Sequence, residues 1–333
     1  MPTEKYKIYL PYEMKKSLTN DAELFEFYKL NGRVNLNGFL KTMLVNYFEV
    51  YAVQKNKLHS DVVAEIILFT DVDEAQAEEL ATSIIALYMD NVSETYGKSD
   101  TITLTVSGKS YDILGLIEHN LNGNYSLSQY VRTLISSYLS SSRSTRERII
   151  FSDQYNEILT AIKEKRTISF STTSSGEQKY LVAPYALIPS KEEQYNYLLC
   201  YDIEKQMVRS FRLSRIRRLL IRTNTFQLDT VTLEKLKKAE KKGPQFAFEE
   251  SMRVNVKLTE KGFRKFKMIY TNRPEVIEIN GNILTFEWPL MQLEEYFKRF
   301  GKEAEIIEPV SARQYMLEFY KEAYTHYSQK NDQ

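Results

Sequence analysis

Between residues 205 and 222 the sequence reads KQMVRSFRLSRIRRLLIR, which holds Lys205, Arg209, Arg212, Arg215, Arg217, Arg218 and Arg222 with no acid among them. A guanidinium is planar and weakly hydrated, so it can clamp a phosphate through paired N–H donors or stack on a base better than an ammonium can. Alternation along a strand would put Arg209, Phe211, Leu213 and Arg215 on one face and Ser210, Arg212 and Ser214 on the other. Cations beside an aromatic ring are the chemistry of polyanion recognition. The plain alternative is that these arginines pair with carboxylates of neighbouring elements. Residues 60 to 100, with ten acids against Lys98 alone, are one source of such carboxylates.

Other chemistries find little support. The chain of 333 residues balances 45 Lys and Arg against 44 Asp and Glu, so its charge is segregated rather than excessive. Gly97-Lys98-Ser99 and Gly108-Lys109-Ser110 resemble phosphate-loop endings, but Val92 and Thr103 stand where that loop needs its first glycine. His59, His119 and His326 are far apart and Cys200 is the only cysteine, which excludes an intramolecular disulfide and argues against zinc. No paired acid and base has a local signature, so catalysis, a metal and a cofactor are not expected. No signal-type segment follows Met1 and no apolar run approaches the roughly 20 residues of a membrane span, which predicts a cytoplasmic protein.

Positioning begins with an internal repeat. At an offset of 91, LNGRVNLNGFLKTMLVNYF (30 to 48) matches LNGNYSLSQYVRTLISSYL (121 to 139) without a gap. Both copies space apolar residues as one stripe of a helix. Asn31-Gly32 and Asn122-Gly123 are expected to stop a preceding helix, Asn35 and Ser126 to cap the next, and Gln129 to complete a capping box. Ahead of each pair lies an alternating strand. Lys5, Lys7 and Tyr9 oppose Tyr6, Ile8 and Leu10 in the first, and Thr101, Thr103 and Thr105 oppose Ile102, Leu104 and Val106 in the second. Between the copies, residues 73 to 90 form an acidic amphipathic helix that would repel a phosphate backbone.

Strand, helix, helix, written twice, resembles the ribbon-helix-helix DNA-binding family over about residues 4 to 50 and 99 to 141. That family pairs two strands as a ribbon in the major groove, so the resemblance implies a DNA-reading strand made of Lys5, Lys7 and Tyr9 or of Thr101, Thr103 and Thr105. The strands could pair within one chain or across a homodimer, and a purely structural ribbon is the alternative.

SSSRS at 140 to 144 is the clearest break in composition and reads as a linker, followed by a helix from about Phe151 to Lys165. Short alternating strands then suggest a small barrel or sandwich, with a turn at Ser174-Ser175-Gly176. The order ISF, SSGE, VAPYAL, NYLLCYD and VRSFRLSRI resembles the WYL domain, a small Sm-like β-barrel module of bacterial regulators that binds nucleic acid or small anionic ligands. Asn196-Tyr197-Leu198 stands where the family has its name-giving Trp-Tyr-Leu, and Cys200 where a Gly is usual. The resemblance implies a ligand groove formed by Tyr197, Arg209, Phe211, Arg212 and Arg215. A basic helix end, Lys235 to Lys242, stops at Gly243-Pro244. Beyond it strand and helix periods alternate as in a ferredoxin-like α+β unit, and ILTFEWP with KRFGKEAEIIEPVSARQYMLEFY resembles the extension that often follows WYL domains. Trp288 reads as a packing anchor there.

The expected fold is therefore α+β and multidomain. A tandem ribbon-helix-helix-like region spans 1–142, a linker and helix 143–165, a WYL domain with an Sm-like or SH3-like small barrel 166–225, a connecting helix 226–250, and a ferredoxin-like extension 251–333. The order of parts looks like the WYL accessory proteins of type VI-D CRISPR systems. It implies a non-enzymatic, homodimeric accessory protein that binds single-stranded RNA, or DNA, and modulates an RNA-guided ribonuclease. The alternative is a ribbon-helix-helix repressor of transcription whose WYL domain senses a ligand.

Overall fold

The computed structural model describes residues 3–93, 99–121, 126–173, 178–191, 193–247 and 251–328. It is an α+β structure built on antiparallel pairs. Contacts divide it into one unit of Met1–Pro189, Gln194–Leu198 and Phe211–Thr225, and a second of Ser190–Glu193, Leu199–Ser210 and Phe226–Gln333. Among the described residues no helix is long and apolar enough to cross a membrane.

The first unit opens with β1 (Thr3–Pro11), α1 (Tyr12–Leu24), α2 (Leu36–Phe69), α3 (Glu74–Ser93), β2 (Ser99–Ser107), α4 (Lys109–Asn120) and α5 (Leu127–Ser140). β1 and β2 pair antiparallel within the chain, Ile8 opposite Ile102 and Lys7 opposite Thr103. The alternation buries Ile8, Leu10, Ile102, Leu104 and Val106. Beneath them pack Phe39, Leu40, Tyr47, Leu134 and Tyr138 from α2 and α5, so the apolar stripes of both repeats share one core.

Asn35 caps α2 by accepting from Gly38 N at 3.0 Å, and Ser126 with Gln129 forms the capping box that opens α5. Asn31-Gly32 does something other than end a helix. α1 has already stopped at Leu24, and Gly32, at φ 76°, turns a tight hairpin in which Lys29 N donates to Arg33 O and Gly32 N to Lys29 O. Only a residue free of a Cβ takes that backbone without cost. Asn122-Gly123 lies outside the described residues.

The segment that reads as a linker is helical. α6 (Arg143–Ile150) starts where Ser142 Oγ accepts from Thr145 N, and Arg146 then makes a two-pronged ion pair with buried Asp21. A run of serines is a linker when its hydroxyls go to water, and a helix start when one of them caps. α7 (Ser152–Lys163) leads into β3 (Arg166–Thr172), β4 (Lys179–Pro189), β5 (Asn196–Asp202), β6 (Met207–Arg212), a 3-10 turn (Leu213–Arg215) and β7 (Ile216–Thr225). The sheet order is β6-β5-β4-β3-β7. Phe170, Tyr180 and Phe211 meet at its centre with ring centroids 4.8 to 5.7 Å apart. The expected turn at Ser174-Ser175-Gly176 lies outside the described residues.

In the second unit α8 (Thr230–Lys242) precedes β8 (Ser251–Leu258), α9 (Glu260–Met268), β9 (Val276–Asn280), β10 (Ile283–Pro289), α10 (Leu290–Lys298), β11 (Ala304–Glu308) and α11 (Val310–Ser328), with sheet order β11-β8-β10-β9. Val254, Val256, Phe266, Phe286, Tyr296 and Phe297 form its core. Trp288 packs edge-on to Phe246 at 4.9 Å with Lys242 Nζ 4.5 Å from its ring.

Candidate functional site

The arginine-rich run is anchored by one carboxylate. Glu147, on α6, is fully buried. Its Oε2 accepts from Asn196 N at 2.5 Å and Asn196 Nδ2 at 2.9 Å, and its Oε1 accepts from Ser214 N at 3.0 Å. Burial raises its pKa, and the bonds from Asn196 and Ser214 partly offset that. Asn196 Nδ2 also donates to Ser144 O at 2.7 Å. The two bonds from Nδ2 need two side-chain N–H donors, and an indole has one.

Arg212 lies 4.0 Å from Glu147 Oε1, donates to Ser214 Oγ at 2.8 Å and to the Leu24 carbonyl, and covers the Tyr195 ring at 3.2 Å. Its Nε and Nη2 thus donate inside the protein. Arg209 Nη1 donates to Asp202 Oδ2 at 3.2 Å, and Arg215 Nε to Glu26 Oε1 at 2.8 Å. Arg217 Nη1 donates to the Ser214 and Ile216 carbonyls, and desolvation lowers its pKa. Phe211 is buried against Phe170 and Tyr180, and Tyr197 is half-buried in β5.

The expected common face of Arg209, Phe211, Leu213 and Arg215 does not form. β6 ends at Arg212, because Ser214 N turns to Glu147, and Leu213–Arg215 becomes a 3-10 turn. A period of two holds only while the strand lasts.

Past that turn the chemistry changes. Along β3, Ser169 pairs with Leu220 and Ser171 with Arg217, so β7 carries one residue more than β3 over this stretch. That bulge contains Arg218, which takes φ 52°, a left-handed conformation costing a non-glycine residue about 1 kcal/mol or more. Beyond it Arg218, Leu220 and Arg222 share one face, and with Ser169, Phe170, Ser171 and Lys179 they line a pocket of about 480 Å³. Arg222 Nε donates to Ser169 Oγ at 2.8 Å, which holds one guanidinium across the pocket wall. Arg218 and Lys179 are exposed, and their side chains make no hydrogen bond or ion pair among the described residues. Three cations and two hydroxyls, with no acid among the described residues that line the pocket, can accept a phosphate or a similar anion.

Residues 153–221 match the WYL domain family. The chain carries a WYL domain. No protein of curated function matches the sequence. Among solved structures, the chain is similar to one described as "Crystal structure of a CRISPR Cas-related protein", with a TM-score of 0.74 and 22% identity over 99% of this chain and 95% of that one. It shares that fold. A likeness to the proteasome accessory factor B/C (PafBC) of Arthrobacter aurescens has a TM-score of 0.29 and 17% identity over 64% of this chain and 35% of that one.

The matched segment thus contains both the anchored arginines and the open pocket apart from Arg222, one residue beyond it. Lys179, Ser169 and Ser171 are the pocket residues that motif reasoning passes over. Their alternation along two strands is visible in sequence, but the register that brings them to β7 is not. The WYL domain's Cys200 is fully buried, its Sγ 3.6 Å from Arg209 O, and burial raises its pKa, which leaves an unreactive thiol.

In the N-terminal ribbon Lys5, Lys7, Tyr9, Thr101 and Thr103 are exposed on one face, Lys7 directly opposite Thr103 and Tyr9 opposite Thr101. The two candidate strands are therefore one surface. Thr105 is half-buried, its backbone N and O both bonded to the Asn37 side chain. Among the described residues no group of three or more His, Cys, Asp or Glu could hold a metal ion.

Proposed function

We propose that the protein is a non-catalytic accessory factor of a CRISPR system that binds single-stranded RNA through its WYL domain and modulates an RNA-guided ribonuclease. The observation that carries this reading is the pocket of Lys179, Arg218 and Arg222, in which, among the described residues, no acid is found and the side chains of Lys179 and Arg218 have no partner. Single strands are gripped by cations along the backbone, and a pocket that takes one phosphate suits a flexible strand better than a rigid duplex. The shared fold with a CRISPR Cas-related protein supplies the setting.

In the same reading the N-terminal elements are a ribbon-helix-helix arrangement completed within one chain. The five-stranded sheet is an Sm-like barrel, and the β-α-β-β-α-β order of the second unit is ferredoxin-like. The DNA-binding repressor remains a second reading because Lys5, Lys7 and Tyr9 stay exposed on the paired ribbon.

Fluorescence anisotropy with single-stranded RNA, single-stranded DNA and duplex DNA across a salt series tests both. Tightest binding to single-stranded RNA, weakening steeply with salt and lost in Arg218→Ala, supports the first. Preference for duplex DNA, lost on changing Lys5 and Lys7, overturns it in favour of the repressor. Light scattering on the same samples reads whether two copies associate.

A further inference from the structure

A second pocket, of about 550 Å³, lies among α2, α3, α4 and α5. Phe48, Ile85 and Ile117 supply apolar wall, and Tyr51 meets Tyr130 edge to face at 5.7 Å. Several polar groups here are already satisfied. Tyr51 Oη donates to Thr133 Oγ1 at 3.1 Å, Thr133 Oγ1 to Tyr130 O at 2.8 Å, and His59 Nε2 lies 3.0 Å from Thr82 Oγ1.

Three are not. Lys55 stands with its ammonium 5.7 Å from the Tyr130 ring centroid, and neither it nor the side-chain amides of Asn56 and Asn120 has a hydrogen-bond or ion-pair partner among the described residues. Among the described residues no carboxylate lines the pocket. Lys55 is exposed by surface area, yet the atoms crowded around its ammonium lower its pKa by desolvation, which an anionic partner would relieve. Burial, with Tyr51 beside it, raises the Tyr130 phenol to about 12, so it remains a neutral O–H donor.

We infer that this pocket binds a small molecule made of a planar aromatic body and one acidic group. The acid sits on Lys55 and the carboxamides, and the ring lies against Tyr51, Tyr130 and the apolar wall. The volume is in the range of roughly 300 to 1,000 Å³ typical of small-ligand sites with a few convergent polar groups. Carboxylate and phosphate esters share this chemistry. The site is separate from the WYL pocket and does not depend on RNA binding.

Calorimetric titration of the full chain with 2-naphthoate and with adenosine 5′-monophosphate, beside neutral 2-naphthamide and adenosine, tests the assignment. Saturable binding of one acid is expected, weaker by about tenfold for its neutral counterpart and by about tenfold in Lys55→Gln. Which acid binds tells carboxylate from phosphate. Lys55→Gln should keep the wild-type thermal midpoint and RNA affinity, and Tyr130→Leu should weaken the acid and its neutral counterpart alike. Failure of both acids to saturate, equal affinity for acid and neutral partner, or unchanged affinity in a folded Lys55→Gln would overturn the inference.

Discussion

Arg212 and Arg218 belong to the same basic run, and the resemblance to the WYL domain put Arg212, not Arg218, in the ligand groove. In the structure Arg212 donates to a carbonyl and a hydroxyl and covers the Tyr195 ring beside the buried Glu147, while Arg218 stands exposed at a bulge and its side chain has no partner among the described residues. A guanidinium N–H that already has an acceptor is not open to a ligand, because a new contact must first break the old one. Charge density alone therefore does not locate a polyanion site. Arg212 and Arg215 tie the WYL domain to Leu24, Glu26 and Glu147, which precede it in the chain, and Arg218 is left exposed.

The sharpest way to break this contrast is to remove the anchor. Glu147→Ala deprives Asn196 N, Asn196 Nδ2 and Ser214 N of their acceptor in a fully buried place. It should cost about 3 kcal/mol in denaturant unfolding. Arg212→Ala comes next, at about 2 kcal/mol, because the Leu24 carbonyl loses its donor and Glu147 its nearest cation. If either variant kept wild-type stability and lost RNA affinity instead, the anchored half would be a binding surface and the contrast would fail.

Arg218 should behave in the opposite sense. Glycine takes φ 52° without the steric penalty borne by arginine, so Arg218→Gly should gain about 1 kcal/mol of stability. It should also lose about tenfold in affinity for single-stranded RNA, one charge-assisted contact being worth about that much. A gain in stability with a loss of binding is the signature of strain kept for function. Loss of stability without loss of binding would show that Arg218 is structural after all.

The elements were more legible in the sequence than the site was. Alternation marked β1 and β2 and the helical stripe marked α2 and α5, because burial of one face leaves its period in the residues themselves. Asn35 and the Ser126–Gln129 box were visible for the same reason, since a cap is a local bond. Long-range partners were not. That Asn31-Gly32 turns a hairpin depends on where α1 stops, and that Arg143 opens a helix depends on Ser142 as a cap and on Asp21, far away in sequence. The 3-10 turn that separates Arg212 from Arg218 depends on Glu147, which no pattern near residue 214 reveals. Each error concerns where a polar group finds its partner, and that is settled by tertiary contact.

Arg215 falls between the two behaviours and gives the smallest effect. Its side chain is 48% exposed and its Nε donates to Glu26 Oε1 at 2.8 Å. Burial works to raise the Glu26 pKa, but hydrogen bonds from Thr173 and Arg215, with Arg212 nearby, outweigh it and leave the group below its ordinary 4.5. A depressed folded pKa means stability that is present above pH 4.5 and is lost as pH falls through the folded value. The exposure of Arg215 limits that contribution to about 0.5 kcal/mol. Unfolding of wild type and Glu26→Gln between pH 7 and pH 3 reads it. The variant should be slightly less stable at neutral pH and should converge with wild type in acid. Glu147 titrates with the opposite sign, since its folded pKa is raised and its contribution grows as pH falls, but it is common to both proteins and cancels in the difference. The left-handed backbone of Glu26, at φ 61°, cancels as well. A gap that stayed constant across pH would mean that the carboxylate is not what Arg215 holds on to, and Arg215 would then join Arg218 among the open cations.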